Sequence, residues 1–493
     1  MVKIGWSEVD ITPEKGMKIA LDGEFYERIT DEVESPITVT AFALESDGDQ
    51  MIICSCDLLS VGANLMRIVR EKLAGQIDIP LDKIIINAIH SHTSWVYKRD
   101  EDTYCARGKE YLKNYVPKDM MYEQLVSYDS CVSPEDALMY IAERVAVAIK
   151  RAWDNRTAGL YQNAFGRAAV GMNRRVCYDD GSAKMWGDTN HPNFENLEGG
   201  NDSGIELIYT FDMNKKLTGV IANVACPAQV VEHRSIISSD YWGKVKENLR
   251  LRFGDEIFVL GLCSAAGDQC PRDMIRWVNP ETEIKDPNIK RENLIERRAD
   301  PSMFDISGLK VVGRRISNEI ISVYEELPDD YKDEGILIHK TMSVSLPLRK
   351  VTIKERDDSI ETINRFVEKN RGKTISYVDS AALHVCAGNI ARFELQKTTD
   401  LFNVEVHVIR LGDIAIATNP FELFLDYGNK IRARSKAKQT ILIQLACGSE
   451  AYLPTARAEN GSHYSAYVSS GVTGHVGGDM LVRETLDCIN KLF

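Results

Sequence analysis

Histidines are few in this chain, yet two stand together in Asn87-Ala88-Ile89-His90-Ser91-His92-Thr93-Ser94. The apolar run Lys83–Ile89 before them reads as a buried strand. Alternate strand residues share a face, so His90 and His92 leave its end on one side. Imidazoles so placed can hold a metal or move a proton, although a lone histidine often does no more than hydrogen-bond a carbonyl. Cys226 closes a second apolar run, Val220–Ala225, and His233 follows on the same segment. A free cysteine is usually a small buried hydrophobe, but as thiolate it is a metal ligand or nucleophile. Gly267-Asp268-Gln269-Cys270-Pro271 presents another thiol in a small-residue turn after the run Glu256–Leu262. Ordinary turn chemistry accounts equally well for those residue types. Glu422, between Phe421 and Leu423, is either a first-turn acid favoured by a helix dipole or a partly buried ligand. Ser238-Ser239-Asp240 is a helix N-cap by composition.

These residues need a scaffold that brings distant segments to one place. Short strand-like runs alternate with longer helical ones. Strands are expected at Ile37–Leu44, Met51–Cys56, Lys83–Ile89, Glu256–Leu262, Val404–Leu411 and Asp413–Thr418, and a hairpin at Gly204–Phe211 and Leu217–Ala225. Helices are expected at Gly62–Ala74, from Ser133-Pro134 to about Trp153, at Asp240–Phe253, Gly308–Leu327 and Phe421–Ser435. The layout favours α/β or α+β over any all-β or all-α fold. It also predicts one continuous catalytic unit over 1–493, with a peripheral surface insertion at 272–305 where charge, Asn and Pro accumulate.

Composition narrows the function classes. Sixty Lys and Arg against seventy-three Asp and Glu give a net charge of −13, which argues against nucleic acid or an anionic membrane surface as partner. The expected partner is a small-molecule substrate. No apolar run approaches the roughly 18 residues of a transmembrane span. Neither a secretory signal nor a CxxC pair is present among the eleven cysteines, so a cytoplasmic protein with reduced thiols is expected. The Gly-rich stretch 471–478 lacks the Gly-Lys-Ser/Thr of a P-loop, and no GxGxxG follows a strand, which leaves a nucleotide cofactor without support.

Taken in order, the motifs resemble those of the neutral ceramidases, a family of zinc amidases. Gly5-Trp6-Ser7-Glu8-Val9-Asp10-Ile11-Thr12-Pro13 is similar to the family's opening. His90-Ser91-His92-Thr93 resembles its His-Thr-His-Ser segment, whose first His binds zinc, and Ile237-Ser238-Ser239-Asp240 with Gly243 resembles the Ile-Ser-x-Asp motif after the second zinc His. Gly267-Asp268-Gln269-Cys270-Pro271 is similar to the loop bearing the nucleophilic Ser. Asn419-Pro420-Phe421-Glu422 resembles Pro-Gly-Glu-Phe, whose Glu binds zinc. Tyr452 matches the zinc-binding Tyr, and Tyr464 falls where a second Tyr stabilises the oxyanion. The resemblance runs from residue 5 to about residue 480 and implies the family's catalytic domain, an α/β fold with a mixed β-sheet core and flanking helices, without its C-terminal immunoglobulin-like domain.

Two positions depart from the pattern. Cys226 stands nearest the second zinc His, with His233 a later candidate, and Cys270 stands in place of the nucleophilic Ser. Thiolate is a good zinc ligand, and a thiol beside zinc is expected to have a lowered pKa and to attack readily. The resemblance therefore implies a zinc-dependent amidohydrolase. Its metal ligands would be His90, Cys226, Glu422 and Tyr452, and its catalytic residues Cys270, His92 and Tyr464, with His92 moving a proton. The bond expected is an amide, with N-acyl amides the first class to try. The alternatives are an ester or other polar substrate, or a non-catalytic metal- or ligand-binding relative.

Overall fold

The computed structural model describes residues 1–24, 26–98, 111–117, 120, 128–276 and 305–493. Near-continuous runs of Ile, Val, Leu, Ala and Cys form strands buried on both faces, a pattern that requires cover above and below. Eight such strands make the larger sheet: β1 (Lys3–Asp10), β2 (Thr38–Ser46), β3 (Asp49–Cys56), β4 (Ile84–Ala88), β5 (Thr157–Arg167), β6 (Gly204–Asp212), β7 (Leu217–Val224) and β8 (Phe258–Cys263). Their order is β8-β7-β6-β5-β1-β2-β3-β4. The pairs β3–β4 and β7–β8 are parallel and the rest antiparallel, so the sheet is mixed. A second sheet has the order β9 (Leu337–Pro347), β10 (Leu401–Leu411), β11 (Ile414–Thr418) and β12 (Gln439–Ile443), with β11–β12 parallel.

The two sheets share one apolar layer. Ile4, Phe42, Ile53, Ile85, Ile221 and Leu260 of the larger sheet meet Ile409, Ile416, Ile441 and Ile443 of the smaller, all nearly inaccessible. Each such side chain contributes about 1.5–3 kcal/mol on burial, so this layer is a principal source of stability. On the outer face of the larger sheet, α1 (Ala63–Leu73) and α2 (Pro134–Asp154) cover β2–β4, while α3 (Tyr241–Phe253) and α4 (Asp305–Glu325) cover β6–β8. Between β9 and β10 in sequence, α5 (Ile353–Lys369) and α6 (Tyr377–Leu395) pack on each other and on Leu112, Val116 and Met120. On the outer face of the smaller sheet lie α7 (Leu425–Arg434) and α9 (His475–Leu492), with the short α8 (Ala456–Gly461) between them in sequence. The result is a helix–sheet–sheet–helix sandwich of the α/β class. No helix among the described residues is long and apolar enough to cross a membrane.

Caps follow from the local sequence. Ser133 accepts from the Asp136 amide and Pro134 opens α2, while Asp240 caps α3 through Tyr241 N. The expected helix at Phe421–Ser435 starts later, at Leu425. Glu422–Leu423 instead forms a two-residue strand, because its backbone pairs with Tyr452–Leu453. The surface insertion expected at 272–305 falls mostly outside the described residues. Its opening residues, Arg272 and Met274, are buried.

The carboxyl ends of β4, β7, β8, β11 and β12 lead into neighbouring loops. Ala88 N donates to Leu445 O, Cys447 N to Ile86 O, Gln444 N to Cys263 O and Asn419 N to Ile443 O. These bonds lock the strand ends of both sheets together, and sheet crevices of this kind are where ligands bind.

Candidate functional site

Glu422 and Tyr452 lie opposite each other in the short parallel pair Glu422–Leu423 and Tyr452–Leu453. The loop after β8 packs directly on that pair: Gly267 N donates to Leu423 O at 2.8 Å. A Cβ at Gly267 would stand 2.3 Å from Glu422 O, so only glycine allows this approach. The Gln444 side-chain oxygen accepts from both Ala266 N (3.0 Å) and Leu423 N (3.1 Å) and ties the two segments together.

His90 reaches the same place from the end of β4. Its backbone sits at φ 68°, in the left-handed region, and Leu445, Cys447, Ala451, Ser462, His463 and Ser465 of the facing loops do likewise. Such strain persists where surrounding bonds over-determine the backbone, and it gathers at functional sites. His90 Nδ1 is 2.8 Å from Leu59 O. A carbonyl only accepts, so Nδ1 carries the proton and Nε2 is aimed at Glu422 Oε2, 3.4 Å away. With Nδ1 held by that carbonyl, Nε2 faces the carboxylate, an arrangement completed by a metal cation or a proton between them. The Glu422 carboxyl is held below its usual range: burial raises it, but His90, Arg174 and a hydrogen bond from Tyr452 outweigh burial. The Tyr452 phenol is pushed well up by burial, then by Glu422 and Tyr464. Its hydroxyl is 3.2 Å from that of Tyr464, and Arg174 Nη2 lies 3.4 Å from it.

His92 stands beside His90, their rings perpendicular with centroids 4.8 Å apart. Its Nδ1 is 3.6 Å from Glu232 Oε2 and 4.0 Å from Glu24 Oε1. Burial, His90 and the cations Arg28, Arg174 and Arg272 hold it well below the usual histidine range, so at neutral pH it is a free base able to accept a proton. Arg272 in turn pairs with Glu232. Gly23 backs the ring; a Cβ there would come within 2.6 Å of His92 Nδ1.

Cys270 is fully buried, with Sγ 3.3 Å from Arg272 O. Burial pushes its thiol up to about 12 in the metal-free chain despite Arg174 and Arg272, so the lowered pKa expected beside zinc would have to come from the metal itself. Cys226 is also fully buried. Its Sγ contacts the carbonyls of Pro227 (3.5 Å) and Val170 (3.9 Å), and burial and Cys270 push the thiol well up. Its segment runs beside the His90 loop, with Ala228 N donating to Ile89 O, yet its sulfur does not form a three-donor cluster with His90 and Glu422. His233 Nε2 faces Asp305 at 3.9 Å, and burial with Arg272 brings its pKa down to about 3. The structure thus gathers His90, Glu422, Tyr452 and Tyr464, sets His92 and Cys270 around them, and holds the Cys226 sulfur against the carbonyls of Pro227 and Val170.

Sequence reasoning missed the arginines. Arg174 is buried and touches Tyr452, Gly267 O and Gln229. Arg175 is buried too: Nε bonds Glu198 at 2.8 Å, while Nη1 and Nη2 reach the carbonyls of Tyr464, Ala458 and Ser462. It therefore fixes the segment that carries Tyr464. The adjacent pair Arg174-Arg175 gives no local sign of burial, because the partners are contributed by distant segments.

No family model matches the chain, and no curated protein matches it in sequence. Solved structures do. The neutral ceramidase of Pseudomonas aeruginosa superposes with a TM-score of 0.67 at 14% identity, over 100% of this chain and 74% of that one. A ceramidase complexed with C2 gives a TM-score of 0.67 at 12% identity, over 100% and 75%. Over its full length the chain has the fold of the neutral ceramidases.

Proposed function

We propose that this protein is a zinc-dependent hydrolase that cleaves an amide bond, with N-acyl amides as the first substrate class. The observation that carries the reading is the His90–Glu422–Tyr452 arrangement: a tautomer-fixed Nε2 aimed at a depressed carboxylate, in register with a tyrosine, on a neutral ceramidase fold. Imidazole, carboxylate and phenol suit zinc, so His90, Glu422 and Tyr452 would hold it, and Cys226 is the fourth donor nominated by the sequence. Bound there, zinc would polarise a substrate carbonyl or lower the pKa of a water.

The chain's own groups supply the rest of the chemistry. His92, neutral and with Nδ1 3.6 Å from Glu232 Oε2, would accept the proton of the attacking group. Tyr464 and Arg174 place donors beside Tyr452, where an oxyanion would develop. Cys270 is the proposed nucleophile and must give up a firmly held proton. That cost favours a second reading, in which a water attacks and Cys270 only walls the pocket. Zinc analysis of the purified protein, with hydrolysis of a panel of N-acyl amides and esters, tests the proposal. Stoichiometric zinc with amide turnover supports it. Zinc without turnover on any substrate replaces it with a binding protein, and turnover on esters alone replaces the amide assignment.

A further inference from the structure

A second group of donors lies away from this site, between α1, β10 and the loop after β12. Glu405, His407 and Cys447 each offer one ligand atom, all within 4.8 Å of one another. The hydrogen bonds behind them fix the tautomers. His339 Nδ1 is 3.2 Å from Gln50 O, which only accepts, so His339 is protonated there and its Nε2 is an acceptor. That acceptor lies 2.9 Å from His407 Nδ1, which therefore carries the His407 proton. His407 Nε2 lies 3.0 Å from Glu405 Oε1 and 3.5 Å from Cys447 Sγ, so the three donor atoms face one point. Arg70 grips the Glu405 carboxylate with both Nη atoms and orients it. Glu405 and Cys447 also line a groove of about 520 Å³, which leaves room for water on the open side.

We propose that Glu405, His407 and Cys447 form a second, zinc-type metal site. An N, S and O donor set with one open position is characteristic of zinc, and the His339 acceptor bond is the outer-shell support that metal-bound imidazoles carry. Binding exchanges the Cys447 S–H proton, released to solvent through the groove, for a sulfur–metal bond. Cys447 lies in the loop that runs on to Tyr452, so occupancy would anchor that loop to β10. The proposal is independent of the hydrolase reading, since none of its three donors is assigned to that chemistry.

The test uses the full chain stripped of metal and titrated with Co²⁺, whose thiolate complexes give a near-ultraviolet charge-transfer band, together with zinc analysis. In a Cys226→Ser background, which removes any thiolate band of the first site, the band should remain, and adding Cys447→Ser should remove it together with one zinc per chain. His339→Gln should weaken Co²⁺ binding about 10- to 100-fold. Thermal midpoints measured in chelator establish that each variant is folded. If the double variant retains both band and stoichiometry, or if Cys226→Ser alone removes the band, the site is an ordinary His407–Glu405 ion pair and the proposal fails.

Discussion

Arg175 offers a demanding test of how the fold positions the site. Its guanidinium is inaccessible and its partner Glu198 nearly so, with side-chain exposures of 0% and 4%. Substitution by Met keeps most of the stem's volume but leaves the Glu198 charge buried without its partner. It also strips a donor from the carbonyls of Ala458, Ser462 and Tyr464. Breaking a buried pair by removing one member costs about 3–5 kcal/mol. An unfolding entropy of about 2.1 cal/mol/K per residue gives the 493 residues about 1 kcal/mol per degree. Arg175→Met should therefore lower the midpoint by about 3–5 °C in differential scanning calorimetry. Adding Glu198→Gln removes the orphaned charge and should restore more than about 1 kcal/mol of the loss. Because the freed segment carries Tyr464, kcat should fall while zinc content holds. A midpoint within about 1 °C of wild type, or a double variant no more stable than the single, would refute the reasoning.

Gly267→Ala forces a Cβ to within 2.3 Å of Glu422 O. It should cost about 1–3 kcal/mol and weaken zinc retention, both read from melts and elemental analysis; an unperturbed variant would contradict the close approach. Cys226→Ser should lose zinc if the thiol turns to the metal, and His233→Ala should not, since His233 faces Asp305. Loss in the His233 variant alone would reverse that assignment. With its pKa at about 12, Cys270 is thiolate in only about one molecule in 10⁵ at pH 7. Its alkylation in zinc-free protein should be slow and rise about tenfold per pH unit towards 12, and rapid modification at neutral pH would show that another group lowers the pKa.

The strands of both parallel pairs in the larger sheet were legible because continuous apolar runs ending in turns leave little choice of structure. Strands β9 and β12 and helices α5 and α6 were not, since charge and polar residues interrupt their periodicity. Glu422 was read into a helix because Phe421–Phe424 looks like an apolar first turn. Pairing with Tyr452, a tertiary bond, overrides that local preference. In the site, His90, Glu422, Tyr452 and Tyr464 could be nominated from ordered motifs and do converge. Arg174, Arg175 and Glu232 could not, because a buried charge is recognisable only from partners that the fold brings together.

The central claim is that His90 and Glu422 converge to hold a zinc ion that hydrolysis requires. It is tested most directly by zinc analysis of His90→Ala beside wild type, with turnover of an N-acyl amide measured on the same preparations. The account predicts one zinc fewer per chain and no hydrolysis in the variant. A His90→Ala protein with the wild-type zinc content would contradict it.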